Sequence, residues 1–422
     1  MSNFLNQFTE KFKNYIDDNL MTTNEMQTKV IAYLNTQEVK DHIIEQYLEN
    51  LPKRFRMEVE VSAGQVFEMW GNYTGSYTYD GTIDWGDGTV ETFTTYNPSH
   101  TYTTAGIYEI AISGRFDTLY NGSSSNTSVK SVRKILSWGD GTVFEGFRNL
   151  QYGFFYATGL TEIASDTYGG LSNVTSFNSC FRDCHSLTAI PAGLFDNCTN
   201  VTSFNSCFFY CSPLTAIPAG LFDNCTNVTN FNSCFYYCSS LTAIPAGLFD
   251  NCPNVTSFYY CFYYCISLTA IPAGLFDNCP NVTDFNYCFY YCGSLRAIPA
   301  GLFDNCPNVT NFDHCFGNCR SLTAIPAGLF DNCTNVTTFY YCFYYCNNLV
   351  LRGDEFTLST LTGRTINFGN CFEAQATSST YQKVGTAPEL WNAGLSASST
   401  ITRCFRNRTL LTNYSSIPSA WL

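Results

Sequence analysis

Residues 187–200 read Leu-Thr-Ala-Ile-Pro-Ala-Gly-Leu-Phe-Asp-Asn-Cys-Thr-Asn, and the same run begins again at Leu214, Leu241, Leu268, Leu295 and Leu322, each time 27 residues on. The departures are small. Arg296 stands where the other copies have threonine, and Pro253, Pro280 and Pro307 follow the cysteine in place of threonine. Between copies lies a second fixed phrase, Val-Thr-x-Phe-x-x-Cys-Phe-x-x-Cys, as in Val201 to Cys211. A strict period of about 20–50 residues marks a repeat architecture. One such unit cannot bury its apolar face alone, so stacking on its neighbours provides the core. The expected fold is mainly β: a solenoid of 27-residue coils. Strand-like segments are expected at Leu-Thr-Ala-Ile and Val-Thr-x-Phe, with equivalent residues about 4.8 Å apart. Cys-Phe-x-x-Cys reads as a short helical turn.

On both sides of the regular units the pattern decays. Val132 to Leu136, Asn149 to Tyr152 and Leu160 to Ile163 echo it upstream, and Asn173 to Phe177 restores the register. Downstream, Asn370-Cys371-Phe372 and Arg403-Cys404-Phe405 repeat it once more each. Atypical end units cover the open core of a stack. The solenoid is therefore expected over 132–422.

Residues 1–53 have a different pattern. Phe4, Phe8, Phe12, Tyr15 and Ile16 fall on one helical stripe, and Thr22 to Glu25 fits a capping box for a second helix. Short amphipathic helices with little of their own to bury predict an anchoring and oligomerisation arm. In 54–118, Met57, Val59 and Val61 alternate with polar residues as a half-buried strand does. Then come Trp85-Gly86-Asp87-Gly88-Thr89, His100-Thr101-Tyr102 and Gly106-Ile107-Tyr108. These three signals, in this order, resemble a PKD-type immunoglobulin-like domain, which implies a small β-sandwich acting as a spacer. Residues 119–131, rich in serine and asparagine, read as a loop or linker.

Charged residues are 13% of the 422 and the net charge is −13. Phosphate binding needs a basic face, so no nucleic-acid partner is expected. No apolar run approaches the roughly 18 residues of a membrane span, so no membrane insertion is expected. The N-terminal Met-Ser-Asn-Phe-Leu lacks the basic start of a signal peptide, which predicts a chain not exported by that route.

The 22 cysteines fall mostly at three fixed repeat positions, such as Cys198, Cys207 and Cys211. Metal half-sites, disulfides and packed thiols compete as explanations. With four histidines in the chain and no Cys-x-x-Cys pair, metal binding has little support. An in-register column of identical cysteines does not pair along its length. Small buried thiols packed between coils are the favoured reading. Asn-Val-Thr at Asn200, Asn227 and Asn254 matches a glycosylation acceptor but is read as a turn and strand start. Asp87 and Asp140 could touch calcium, and a hairpin turn explains them equally. No nucleophile–base constellation, phosphate loop or cofactor motif is present in the sequence. The chain is read as a non-enzyme without cofactor or metal.

Two sets of positions vary between otherwise near-identical copies. One holds aromatic pairs: Phe209-Tyr210, Tyr236-Tyr237, Tyr263-Tyr264, Tyr290-Tyr291 and Tyr344-Tyr345. The other holds Tyr259, Tyr260, Tyr287, His314, Tyr340 and Tyr341, the candidate ligand-binding residues. Tyrosine offers an apolar face with a polar tip, suited to sugars or a protein. Lateral stacking between coils is the competing explanation.

The two repeat phrases resemble the BspA-like leucine-rich repeats, which occur in bacterial surface proteins and some phage proteins. The resemblance implies adhesion or recognition without chemistry. The expectation is a structural virion protein of a bacteriophage, a head or tail fibre that displays the repeats to a host-surface glycan or protein. Its arm would hold other virion proteins and form a homo-oligomer. A bacterial cell-surface adhesin is the alternative.

Overall fold

A computed structural model of the protein describes residues 54–72, 76–375 and 383–422. The helical arm expected over 1–53, with Phe4, Phe8, Phe12, Tyr15 and Ile16, lies outside the described residues. Residues 54–422 form one compact unit.

That unit opens with strands β1 (Phe55–Val61), β2 (Val66–Glu68), β3 (Tyr79–Asp84), β4 (Val90–Phe93), β5 (Ser99–Thr101) and β6 (Gly106–Phe116). Helix α1 (Thr127–Ser131) follows, then β7 (Val132–Trp138) and β8 (Glu162–Ile163). One sheet has the order β4-β3-β6-β1-β7-β8, and β2 pairs with β5 in a second. The alternation seen at Met57, Val59 and Val61 buries all three. Phe67, Trp85 and Tyr102 are also buried, and the Tyr102 hydroxyl donates to the Trp85 carbonyl.

The linker expected at 119–131 does not separate two modules. Asn126 caps α1, accepting from the Ser128 and Val129 amides, and α1 runs directly into β7. β7 pairs antiparallel with β1 on one side and parallel with β8 on the other, Ile135 opposite Ile163. β6 and the residues just after it continue the handover: Gly114 bridges Phe144 and Thr118 bridges Asn149, both parallel. The sheet thus seeds the repeats. Its Phe55 and Trp138 pack on Phe147, and Trp138 also meets Phe154 and Phe181 of the first coils. An open stack end exposes apolar surface, and these rings cover it.

Beyond β8 successive units stack in register. Single-residue parallel bridges run Ser176, Ser203, Asn230, Ser257, Asp284, Asn311, Thr338, Asn367, Thr400. The expected strand segments are thus reduced to one-residue bridges in Val-Thr-x-Phe. Leu-Thr-Ala-Ile makes only a threonine contact, the Thr215 amide to the Thr188 carbonyl at 3.3 Å. The cause is local. Proline follows isoleucine and has no N–H to donate, and Gly193 and its equivalents then turn the chain with φ near 70°.

The Cys-Phe-x-x-Cys stretch is not helical. Every non-glycine residue with positive φ among the described residues falls in two columns, one just before the stretch and one just before its second cysteine or their equivalents, with φ from 53° to 64°. One column runs from Tyr152 through Ser206, Tyr260 and His314 to Arg403, the other from Tyr156 through Tyr210, Tyr264 and Asn318 to Asn407. These left-handed residues reorient the peptides. The amides of Phe204, Ser206, Phe208 and Tyr210 all donate to the next coil, at the carbonyls of Asn230, Asn232, Cys234 and Tyr236. The intervening amides close tight turns, as Cys207 to Phe204 and Cys211 to Phe208. A helix would have kept these bonds within the coil. Instead each coil is tied to its neighbour along several parallel lines.

The interior is made of identical rings and thiols. Phe204, Phe208, Phe222 and their equivalents are buried, as are all 22 cysteines, each unpaired. The last cysteine of each regular unit donates to a carbonyl of the preceding coil: Cys211 to Phe181 at 3.1 Å, Cys238 to Phe208 at 3.3 Å. Burial pushes these thiols up, so they remain protonated and unreactive. At the far end Arg408 is fully buried, donating to the carbonyls of Phe372, Cys346 and Leu349, and Trp421 covers Phe405. Burial lowers the Arg408 guanidinium to about 10, still charged at neutral pH.

Candidate recognition surface

On one face of the stack the variable positions form three columns of rings. The first contains Tyr260, Tyr287, His314 and Tyr341, stacked at 4.5, 4.2 and 4.7 Å. The second contains Phe209, Tyr236, Tyr263 and Tyr290, at 4.3, 4.5 and 5.4 Å. The third contains Tyr210, Tyr237, Tyr264 and Tyr291, at 4.2, 4.2 and 5.4 Å. All six candidate residues belong to this face. Four make the first column, and Tyr259 and Tyr340 stand edge-on against Tyr260 and Tyr341 at 4.2 Å.

Equivalent atoms of successive coils are separated by the local rise of the stack. Ring distances therefore measure that rise across one coil. Between the coils at 222 and 249 it is 6.2 Å (Phe222–Phe249), at Phe231–Phe258 5.9 Å, at Phe235–Phe262 5.5 Å, at Tyr236–Tyr263 4.5 Å and at Tyr237–Tyr264 4.2 Å. Ring spacing is thus tightest on the tyrosine side.

This geometry sets what the face can do. Ring faces inside the columns are covered by neighbours, which is the lateral stacking weighed above as the competing explanation. Edges and hydroxyls remain outward. Arg182 covers the lower end of the second column, its guanidinium 4.2 Å from the Phe209 centroid, and Arg320 lies 6.0 Å from Tyr291. Nothing in the repeat pattern signalled these two arginines.

The stacked tyrosines and His314 themselves are uncharged at neutral pH. Burial and a tyrosine partner raise the Tyr260 hydroxyl, burial raises Tyr290 and Tyr341 to about 12, and burial lowers His314 to about 4. The acidity is placed elsewhere, as in the exposed column Asp196, Asp223, Asp250, Asp277 and Asp304.

The other singled-out motifs have local duties. The Asn200, Asn227 and Asn254 side-chain amides each donate to the preceding coil at 2.8–3.0 Å. Asp87 accepts from the Thr89 amide and meets His100 at 2.7 Å, and Asp140 accepts from Thr142 and Val143. Both carboxylates hold turns. No cluster of metal-ligating side chains occurs among the described residues.

The paired columns carry one interruption. Gly317 and Asn318 stand where the other regular coils place two aromatics. Tyr290 leans into the space: a Cβ on Gly317 would lie 2.6 Å from its ring. Asn318 donates to the Tyr290 hydroxyl at 3.1 Å.

Residues 142–350 match the family model of the BspA type leucine rich repeat region, in six copies, and this span is such a region. No curated protein matches the sequence. Among solved structures the chain is similar to one in the crystal structure of a TLR13–ssRNA13 complex, at 14% identity and a TM-score of 0.14. The match covers 61% of this chain and 48% of that one, so this chain spans about half of its length.

Proposed function

We propose that this is a recognition protein whose stacked repeats form a solenoid that binds a host-surface glycan or protein through its tyrosine face. The observation that carries the reading is the three columns of stacked aromatic rings on one face, set apart from the exposed aspartate column. Amphipathic rings with a polar tip suit such contacts at low conformational cost. The chemistry is binding alone, without catalysis, cofactor or nucleic acid.

The carrier in this reading is a bacteriophage particle, with the chain a head or tail fibre or related appendage. Residues 1–53 would join it to other virion proteins and to further copies of itself. The 22 unpaired thiols support it, since assembly in a reducing cytoplasm keeps them so. A bacterial cell-surface adhesin is the second reading, favoured by the BspA type repeats, and it would use the same face.

Replacing Tyr260, Tyr287 and Tyr341 together by serine tests the binding face. Loss of adhesion to host cells with an unchanged thermal transition is expected, and unchanged adhesion would reduce these rings to packing. Mass spectrometry of purified phage particles tests the carrier: presence in virions is expected, and detection only on intact bacteria would establish the adhesin instead.

A further inference from the structure

We propose that the cysteine columns make the fold a one-way redox gate: the chain must complete its stack under reducing conditions, and once complete the stack withstands an oxidising medium. The gate is independent of what the tyrosine face binds, and it bears on the carrier.

The first observation is where the sulfurs lie. The 22 cysteines form three columns through the stack, Cys180 to Cys404, Cys184 to Cys346 and Cys198 to Cys333. None is more than 1% exposed. In the second column each thiol also donates to a carbonyl of the preceding coil at 3.1–3.4 Å, from Cys184 on Phe154 to Cys346 on Phe316. A small disulfide oxidises thiols in two steps. One sulfur attacks it to form a mixed disulfide, and a second thiol then displaces the small thiol. With oxidised glutathione, two protein thiols and one glutathione disulfide become one protein disulfide and two glutathione thiols. The first step needs a sulfur that a tripeptide can reach. The finished stack offers none.

The second observation is spacing. Rings beside the first column repeat at 5.5–5.7 Å and rings near the third at 5.9–6.2 Å, with planes within 9°. The same translation relates successive cysteines, so their Cβ atoms share that separation, whereas a disulfide holds its Cβ atoms about 3.5–4.5 Å apart. The first two columns also hold odd numbers of cysteines, so pairing along a column cannot use them all. A disulfide made in the unfolded chain therefore does not fit. One along a column pulls two coils together by about 1 Å or more. One between distant coils prevents the register. One within a coil, as Cys207 with Cys211, withdraws the donor from the Phe181 carbonyl. A glutathione left on a cysteine overpacks the interior.

The order of events decides the outcome. Folding first buries every sulfur and leaves the oxidant no entry. Oxidation first fixes pairings that the coils do not accept. A chain passed unfolded into an oxidising space would be trapped, whereas one folded in a reducing cytoplasm and then released would persist outside.

The experiment changes only the time at which oxidant is added. The full chain is made by cell-free translation with oxidised glutathione present during synthesis, or added only afterwards, beside a control kept under dithiothreitol. Protease resistance per chain made reads the fold, and thiol titration after denaturation counts free cysteines. The control and the late-oxidant chain should be equally resistant and keep all 22 thiols. The early-oxidant chain should lose most of its thiols and at least about nine-tenths of its resistant fraction. An early-oxidant chain that is fully resistant overturns the gate, and so does one that is sensitive with its thiols intact. Loss of thiols on late addition overturns it as well. Sensitivity even under dithiothreitol overturns the buried-thiol stack itself. None of these outcomes alters the tyrosine face, whose own test is adhesion.

Discussion

The interior phenylalanine ladders and the outer tyrosine ladders repeat the same device, one ring per coil, with opposite consequences. Phe204, Phe231, Phe258, Phe285 and Phe312 are fully buried and stack at 5.6–5.9 Å with planes within 8°. Among the regular coils no copy departs from phenylalanine there. The outer rings stack more closely, yet in the same coils their columns admit serine, histidine, glycine and asparagine. Magnitudes explain the difference. Each buried phenylalanine contributes the full hydrophobic term, and losing it costs about 3–5 kcal/mol. An outer tyrosine gains about 0.5–1.5 kcal/mol from stacking. In the first and third columns it also holds a left-handed backbone, which costs about 1–3 kcal/mol. The two terms nearly cancel. Identity on that face is therefore free to follow a ligand, while identity inside is fixed by packing.

The largest expected effect is inside. Phe235→Ala removes a ring packed between Phe208 and Phe262 at 5.7 and 5.5 Å and should lower stability by about 3–5 kcal/mol in chemical denaturation. A loss below about 1 kcal/mol would mean that the coils close over the cavity and that inside and outside are alike.

What the sequence made legible follows from the same contrast. The period and the buried columns were legible because packing repeats every residue: Leu187, Phe208 and Cys211 return with each coil. The continuity of sheet and stack was not, because β7 reaches β1 through a long-range pairing with two register shifts. The left-handed columns were also hidden. Tyrosine and serine do not advertise positive φ, and only Asp183, His314, Asn318, Asn370 and Asn407, of types more at ease there, carried the signal. The six candidate residues were found through variability. The interruption beside them was readable as Gly-Asn, but its meaning depended on where Tyr290 lies.

A smaller effect distinguishes the histidine in the first column. His314 stacks between Tyr287 and Tyr341 and is held at about 4 by burial, against an ordinary 6.5. Its folded value is depressed, so the unfolded chain takes up the proton first as pH falls. Its contribution is whole above about pH 6.5 and is lost progressively toward pH 4. His314→Tyr, which repeats the residue found one coil away on either side, should remove that part of the acid sensitivity. Thermal transitions at pH 7, 5.5 and 4.5 measure it. A variant whose transition falls as steeply as the parent's would place the acid response elsewhere.

The smallest effect is the most informative about the outer face. Tyr237 has φ 59° and stacks on Tyr210 and Tyr264 at 4.2 Å on each side. Tyr237→Asn gives up both stacking contacts but places at the left-handed position a residue that tolerates it, as Asn318 already does four residues beyond His314. The net change should stay within about 1 kcal/mol. Tyr237→Ala gives up the same contacts and keeps the backbone cost, so it should be the more destabilising of the pair. Chemical denaturation of the two variants side by side separates stacking from backbone. Equal and large losses would make the tyrosine ladder a structural spine like the phenylalanines. A near-neutral asparagine beside a costly alanine would mean that the rings persist on a backbone better suited to other residues, which stability does not demand and a ligand does.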